Sequence, residues 1–370
     1  MAMKVSEIKF DCRYFKGEIP CVPNKLRDKV CSTCDEYDKI ETRILIIKLG
    51  AIGDVMRSTP LLTRFKMDYP GPHITWITHT PEILPKAPIV IAGVDQAYKF
   101  DFASVYKVEN SEYEIAINLD KDKEACMLLQ KVKAKRKFGF IWKDGHVSIA
   151  TPDAEHKLIT GVFDNISKQN TKNYMEEIFE ICGMEFKDEP YLLNFDPELA
   201  EKFRFVKDKA GNKKIIGLNT GCGKRWQTRL WPEEYWVELI KKLQSQNYFP
   251  LLLGGPDEDE MNKKYSSSTG AFYPGTFSLP EFIALSSVCD CILTAVSMMM
   301  HIAIGLKKPL VLFNNIFNKH EFYLYNNGVI IEPPTGCDCY YGNSCKRGEK
   351  HCMNDIPVET VLDSIKKMAK

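Results

Sequence analysis

The sequence lacks the features that would place it in a membrane or on a nucleic acid. No apolar stretch approaches the ~20 residues needed to span a bilayer, and the first 20 residues lack the apolar core of a signal peptide. The 50 basic residues are balanced by 49 acidic ones, so the charge pattern requires no nucleic-acid partner. We therefore expect a cytoplasmic protein, and we find neither an internal repeat nor a low-complexity segment.

The first glycine turn also lacks two familiar phosphate-binding patterns. Gly50 and Gly53 are not followed by the third glycine of a dinucleotide fingerprint, and no Walker lysine follows them. A continuous apolar run at residues 43–49 instead indicates a buried parallel strand, and apolar residues return at helical spacing from Val55. This order of strand, turn and helix directs backbone N–H groups at an anion. Asp54 lies where the helix begins, and an N-cap is the simplest role for it.

Cysteine is abundant, which is unexpected in a reducing compartment. Most of the 13 cysteines fall in two clusters, which are Cys12, Cys21, Cys31 and Cys34, and Cys337, Cys339, Cys345 and Cys352. Residues 1–40 have too few apolar side chains for a core, so we predict that the first cluster binds a structural zinc ion. Free thiols or redox chemistry are the alternatives there. The second cluster is either another metal site or a cysteine-rich loop without a ligand.

From Arg43 onward, strand-like and helix-like segments alternate, which predicts an α/β protein with parallel sheets. A chain of 370 residues suggests two domains, here Rossmann-like and facing a central cleft. We predict a cysteine-rich module at 1–40, a first domain at 41–200, a second domain at 213–355 and a C-terminal helix at 356–370. Three local predictions are a strand at 87–93, an inter-domain connection at 194–212, and a solvated helix end or a membrane-contacting patch at the basic run 131–137.

Four motifs in order carry a family resemblance. They are IIKLGAIGDV before Pro60 (46–60), IGLNTG before RLWP and Trp236 (216–236), LLGGP before Glu258 (252–258), and MH before Lys308 and Pro309 (300–309). Together they resemble the ADP-heptose:lipopolysaccharide heptosyltransferases of glycosyltransferase family 9, over residues 43–370. The resemblance implies a GT-B fold whose first domain binds the acceptor and whose second domain binds the nucleotide sugar. It also implies that the C-terminal helix packs back on the first domain.

The resemblance assigns roles to individual residues. Asp54 matches a general base, which would take the proton of the acceptor hydroxyl. Gly50 and Gly53 match the acceptor-side or phosphate loop. The implied donor-binding residues are Thr220, Gly221, Gly223, Arg229, Glu258, Ser297 and His301. Among them, Arg229 would clamp phosphate and Glu258 would hold the ribose, although a surface arginine, a first-turn glutamate and a core histidine at 301 are simpler structural interpretations.

The sequence departs from the family in the loop before His301. Val296 occupies the position of an acidic residue, and Met298 occupies that of a glycine that lets the backbone approach phosphate. An apolar loop of this kind favours a different sugar or nucleotide, or a protein that binds its ligand without turnover.

The leading hypothesis is an inverting, metal-independent glycosyltransferase. It would move heptose or a related sugar from a nucleotide diphosphate, expected to be ADP, to a glycan or glycolipid of lipopolysaccharide type. Peripheral contact with the cytoplasmic face of the inner membrane follows from that substrate class. The alternatives are a non-catalytic binder of nucleotide sugars or glycans with metal-stabilised modules, and a sugar-nucleotide epimerase.

Overall fold

The structure, a computed structural model, describes residues 3–87, 92–348 and 351–370. The chain divides into two compact units. The first comprises Met1–Leu49, Leu61–Pro81 and Lys86–Ala154, and the second comprises Gly50–Pro60, Glu82–Pro85 and Glu155–Lys370. Within the described ranges, every helix is too short or too polar to cross a membrane. Most of the strand predicted at 87–93 lies outside the described residues.

Eleven strands and fifteen α-helices are described. The strands are β1 Thr42–Ile47, β2 Pro72–Thr78, β3 Gln96–Lys99, β4 Glu112–Asn118, β5 Lys133–Lys143, β6 His146–Ile149, β7 Ile215–Asn219, β8 Phe249–Leu253, β9 Cys291–Ala295, β10 Leu310–Phe313 and β11 Gly328–Ile331. The helices are α1 Val22–Arg27, α2 Ile52–Met56, α3 Pro60–Asp68, α4 Phe102–Glu109, α5 Lys123–Lys131, α6 Glu155–Val162, α7 Asp164–Ser167, α8 Tyr174–Ile181, α9 Pro197–Glu201, α10 Arg204–Ala210, α11 Glu233–Ser245, α12 Asp259–Thr269, α13 Leu279–Ser286, α14 Met298–Gly305 and α15 Val358–Met368.

The sheet of the first unit has the order β3-β2-β1-β4-β5-β6. All neighbours are parallel except β5 and β6, which form an antiparallel pair. β1 is the buried strand that its apolar run predicts, because Ile44 to Ile47 have no solvent exposure. The charged pair of Lys48 and Asp120 is also buried at the ends of β1 and β4.

The basic run at 131–137 coincides with a helix end only at Lys131, the last residue of α5, so the prediction of a helix end is wrong for most of the run. Its residues from Lys133 onward form β5, which pairs with β4 from Glu112↔Lys133 onward. Successive side chains of a strand point to opposite faces of the sheet, which explains the error. Lys133 and Lys135 are exposed, while Ala134 packs on the core. A strand can therefore carry alternate lysines without burying a charge.

The sheet of the second unit is entirely parallel, with the order β11-β10-β9-β7-β8. Apolar side chains of this sheet pack against those of α11 in one cluster, which includes Trp231 and Trp236. With two units built on largely parallel sheets, the predicted α/β class is confirmed. Sequence analysis did not identify the edge strand β11.

The C-terminal helix is placed differently from the expectation. Its buried face belongs to the apolar cluster of the second unit and consists of Val358, Val361, Leu362 and Ile365. The Trp231 indole also donates a hydrogen bond to the Ile356 carbonyl at 3.1 Å, just before α15 begins. The helix therefore completes the core of the second unit, so the expectation that it packs on the first domain is corrected.

The predicted connection at 194–212 is also corrected, since it contains α9 and α10 within the second unit. The Asp196 side chain accepts hydrogen bonds from the backbone N–H groups of Glu198 and Leu199, and Pro197 occupies the first turn. These are helix-start signals rather than linker signals. The second unit consequently takes in residues 155–212, which the sequence assigned to the first domain and the linker.

Candidate functional site

Three loops meet at the carboxyl edge of the second sheet, where ligands bind in open α/β sheets. They follow the neighbouring strands β7, β8 and β9. Together they line a cavity of about 260 Å³, which we call the glycine-loop pocket. Its lining includes the predicted donor residues Gly221, Gly223, Arg229, Glu258 and Ser297.

Glu258 ties the first two loops together. Its Oε2 accepts a hydrogen bond from Gly255 N–H at 2.9 Å, and its Oε1 accepts one from Gly223 N–H at 3.5 Å. A Cβ at Gly221 would lie 2.1 Å from Oε1, so only glycine allows this approach. Thr220 is buried and donates its hydroxyl to Asn262 Oδ1 at 2.7 Å, which makes it a support for the loop.

The third loop leads into α14, whose N-cap is Ser297. The Ser297 hydroxyl lies 3.1 Å from the Thr294 hydroxyl, and its side chain lines the glycine-loop pocket beside Met298 and Met299. The first N–H groups of a helix favour an anion, so the start of α14 is the part of the pocket best suited to phosphate.

Arg229 is buried, and its N–H groups donate hydrogen bonds to backbone carbonyls. It donates to Cys222 at 2.7 Å, to Arg225 at 2.9 Å and to Trp226 at 3.2 Å, and also to the carbonyl of Val296. Burial lowers the pKa of this guanidinium. These bonds fix the loop after β7 to the loop after β9. The phosphate contact predicted for Arg229 stays a prediction.

Sequence analysis did not single out Arg225, which stands in a better position to meet a ligand. Its side chain is exposed, and its guanidinium carbon lies 3.9 Å from the centroid of the Trp226 ring. Arg225 lines a second cavity of about 540 Å³, which we call the carboxylate pocket. This pocket shares Arg229, Ser297 and Met298 with the glycine-loop pocket.

The carboxylate pocket contains the predicted base, Asp54. Ala51 is the N-cap of α2, and Asp54 is the third residue of that helix. Asp54 therefore does not cap α2, and the N-cap interpretation is wrong. Arg57 Nη2 lies 2.8 Å from Asp54 Oδ1, and Arg57 Nη1 lies 2.8 Å from Glu321 Oε1. Arg57 and Glu321 are further site residues that the sequence analysis missed.

His301 lines the same pocket but is largely buried. Burial lowers the pKa of its imidazole to about 3, with the Arg57 charge acting in the same direction. The Tyr191 hydroxyl lies 3.5 Å from its Nδ1. The imidazole is therefore neutral near pH 7, and it supports the start of α2 through Gly53, next to Gly50 of the predicted loop. Gly50 itself lines neither pocket.

The cysteines are grouped in space as they are in sequence. Cys12, Cys21, Cys31 and Cys34 line one cavity of about 180 Å³ in the first unit. In the second cluster, Cys339 N–H donates to Cys337 Sγ at 3.5 Å and Lys346 N–H donates to Cys339 Sγ at 3.2 Å. Across the described part of the chain, no three His, Cys, Asp or Glu side chains are arranged to hold a metal ion.

Known proteins with similar sequences point to one family. The family model for glycosyltransferase family 9 (heptosyltransferase) matches residues 103–327. Lipooligosaccharide heptosyltransferase 2 of Haemophilus influenzae is 24% identical over 357 residues, which cover 88% of this chain and 99% of that protein.

Solved structures share the fold. The glycosyl transferase family 9 structure from Veillonella parvula gives a TM-score of 0.68 at 19% identity and covers 90% of this chain and 98% of that one. E. coli ADP-heptose lps heptosyltransferase II gives 0.63 at 17% identity, covering 88% and 98%. These likenesses confirm the predicted GT-B class. Since the family model matches more than half of its residues, the chain belongs to glycosyltransferase family 9, the heptosyltransferase family.

Proposed function

We propose that this protein is an inverting glycosyltransferase that transfers heptose, or a closely related sugar, from an ADP-linked donor to a lipopolysaccharide-type acceptor. The observation that carries the proposal is the pair of adjoining pockets. One is built from glycine loops and Glu258, the other contains Asp54, and Arg229, Ser297 and Met298 line both. The names of two similar proteins, a lipooligosaccharide heptosyltransferase and an ADP-heptose heptosyltransferase, support the substrate class.

The nucleotide would occupy the glycine-loop pocket. Glu258 accepts backbone hydrogen bonds there and can accept further ones from ribose hydroxyls. The diphosphate would lie at the start of α14, where N–H groups favour negative charge, with the exposed Arg225 as a nearby cation. The sugar would then extend into the adjoining carboxylate pocket.

Asp54 would act there as the general base. Its carboxylate takes the proton of the acceptor hydroxyl while that oxygen forms a bond to the anomeric carbon. The bond between the anomeric carbon and the diphosphate oxygen breaks, and ADP leaves with the electron pair. Because attack and departure occur on opposite faces, the anomeric configuration inverts. Helix N–H groups and Arg225 stabilise the leaving charge, so the proposal needs no catalytic metal.

The apolar loop before α14 is compatible with this function. The Val296 carbonyl accepts a hydrogen bond from Arg229, so its main chain still joins the two loops although its side chain is not acidic. Met298 lines both pockets and supplies apolar surface where the family has glycine. We propose that these two residues narrow the choice of donor sugar.

A panel of nucleotide sugars tests the proposal. The full-length protein is incubated with ADP-heptose, other ADP-sugars and UDP- and GDP-sugars, together with a truncated lipopolysaccharide core as acceptor. We expect ADP release and a glycosylated product only with an ADP-linked donor, and NMR of the product should show inversion at the anomeric carbon. Binding of a nucleotide sugar without any product would favour the non-catalytic binder. Conversion of the nucleotide sugar into its epimer, without transfer to the acceptor, would favour the epimerase.

We also propose that the cysteine clusters bind structural metal ions, zinc being the ion that four thiolates suit best. All four N-terminal cysteines line a single cavity. In the second cluster, backbone N–H groups donate to Cys337 Sγ and Cys339 Sγ, and hydrogen bonds of this kind would also orient these sulfur atoms toward a metal ion.

A location in the cytoplasm, with peripheral contact at the inner membrane, would suit this substrate class. Sedimentation of the protein with vesicles of anionic lipid tests the contact, and failure to sediment at low salt would exclude it.

A further inference from the structure

A charged group beside Asp54 has no part in the reaction proposed above. Arg57 bridges two carboxylates, since its Nη2 lies 2.8 Å from Asp54 Oδ1 and its Nη1 lies 2.8 Å from Glu321 Oε1. The Arg57 side chain is 12% exposed, against 33% for Asp54. One buried cation is thus divided between two carboxylates, and both of them line the carboxylate pocket.

Arg57 and Glu321 are both held in place by aromatic side chains. The guanidinium carbon of Arg57 lies 3.4 Å from the centroid of the Tyr174 ring, and Tyr341 donates its hydroxyl to Glu321 Oε2 at 3.1 Å. Burial opposes the charge on Arg57, but Asp54 and Glu321 outweigh it and raise the Arg57 pKa. Burial likewise opposes the charge on Glu321, and Arg57 outweighs it and lowers the Glu321 pKa. Arg57 and Glu321 are therefore both charged near pH 7.

The other polar groups around Asp54 come from every neighbouring element. His301 on α14 is neutral, because burial lowers its pKa to about 3, and burial raises the Tyr191 pKa. Burial also raises the pKa of Tyr341, so this phenol carries no charge near neutral pH. Lys157 acts on Glu321, while Arg225 and Arg229 line the pocket and Arg229 is bound to carbonyls. Arg57 is therefore the cation in direct contact with Asp54 among these groups.

We infer that Arg57 and Glu321 are positioning residues for the reaction, Arg57 fixing the Asp54 carboxylate in the pocket and Glu321 cancelling the charge that Arg57 would otherwise impose on it. The inference rests on the proposed role of Asp54 as the general base. An unshared guanidinium would stabilise the Asp54 anion and so weaken the base. Glu321 occupies the other side of the guanidinium fork, so Asp54 is oriented without losing its affinity for a proton.

The pH profile of kcat/KM tests the positioning roles of Arg57 and Glu321. Its acid limb is the pH range in which the rate rises as the general base loses its proton. A merely structural role would lower the rate without moving that limb. Arg57→Gln removes the cation, so the limb should move to higher pH by about one unit. Glu321→Gln leaves the cation unopposed, so the limb should move to lower pH by a similar amount and the plateau rate should fall. The double variant should lie between the two.

Two controls separate charge from packing. Arg57→Lys keeps the charge, so its limb should stay near that of the wild type while kcat falls. Arg64→Gln removes an arginine of the first unit whose partner is Asp68, and its limb should not move. Glu321→Gln keeps the shape of the side chain and its contact with Tyr341, so it decides the matter if Arg57→Gln does not fold.

The outcomes distinguish this inference from the proposed function. Unshifted limbs in Arg57→Gln and Glu321→Gln would overturn the inference, and so would a shift of both in the same direction. If Asp54→Asn is inactive in that case, Asp54 remains the general base, and only the positioning roles of Arg57 and Glu321 are wrong. Full turnover of Asp54→Asn would overturn both.

Discussion

Gly53 and His301 are in such close contact that no side chain fits between them. A Cβ built at Gly53 would lie 2.4 Å from His301 Cδ2 and 2.9 Å from Nε2. The two residues are far apart in sequence, one in α2 and the other in α14. The contact sets how closely the helix that carries Asp54 approaches the helix whose start lines both pockets.

Gly53→Ala should destabilise the protein by ~1–3 kcal/mol, because the added methyl group overpacks a buried imidazole. Denaturant unfolding monitored by circular dichroism measures this cost. The matched control is a double-mutant cycle with His301→Ala, in which Gly53→Ala should be nearly neutral. If alanine at 53 costs as much in the His301→Ala background, the contact with His301 is not the cause.

Asp54→Asn should reduce turnover by ~10²–10⁴-fold, the range for loss of a general base. Asparagine has the same shape as aspartate, so donor affinity should change little, while the melting temperature should fall modestly because Arg57 keeps only Glu321 as a charged partner. Turnover is measured with the donor that the panel identifies, and affinity by calorimetry with ADP. Turnover within a few-fold of the wild type would remove Asp54 from the role of base.

The sequence predicts a structural element well where the pattern that marks it lies within one strand and the turn that follows. The apolar run of β1 is buried, as expected because buried parallel strands are continuously apolar. The donor-site roles of Gly221 and Glu258 came instead from the family resemblance of their motifs, and the close contact between them joins the loops after β7 and β8.

Contacts between distant segments were not predictable. Arg57 and Glu321 are 264 positions apart, and neither has a local pattern that marks it as a site residue. Arg229 was assigned to phosphate because it matches a basic position of the family motif, but its N–H groups donate to carbonyls whose positions depend on how two loops pack. The apolar face of α15 was equally visible in the sequence, yet only the tertiary structure shows which core it joins.

Arg229 and Arg225 should respond differently to removal. Arg229→Ala leaves the buried Cys222 carbonyl and three partly buried carbonyls without a donor, so we expect a stability loss of ~1.5–3 kcal/mol together with weaker ADP binding. Arg225→Ala removes an exposed cation, so ADP affinity should fall about five- to tenfold with little change in stability.

Calorimetry with ADP, ADP-ribose and adenosine distinguishes the two roles. Arg225→Ala should leave adenosine affinity unchanged, because the loss concerns phosphate. If Arg229→Ala is as stable as the wild type and loses only diphosphate affinity, Arg229 is the phosphate clamp after all, and the loop-fixing role is wrong.

The cysteine clusters make metal content measurable. Full-length protein purified without added metal should contain zinc, or iron, in near-stoichiometric amounts by elemental analysis. Cys31→Ser and Cys339→Ser should each lower that content, whereas Cys182→Ser, in a buried cysteine outside both clusters, should not. Protein that contains neither metal, with all cluster thiols alkylated rapidly under native conditions, would exclude both sites.

His301 should make the folded state sensitive to acid. Its pKa is lowered to about 3 by burial, against about 6.5 for an exposed imidazole, so between these values the unfolded chain binds a proton that the folded chain does not. The contribution of His301 to stability is therefore complete above pH about 6.5 and is lost as the pH falls towards about 3. The slope approaches ~1.4 kcal/mol per pH unit for one such group.

His301→Gln isolates this effect, because glutamine does not titrate, and subtraction cancels the carboxylates common to both proteins. The free energy of unfolding is measured by urea titration at several values between pH 7.5 and 4.5. The variant should be less stable at pH 7.5, and the difference from the wild type should narrow as the pH falls. A difference that stays constant with pH would show that the imidazole has the same pKa in the folded and unfolded protein, so that it is not enclosed as the contacts with Gly53 and Tyr191 indicate.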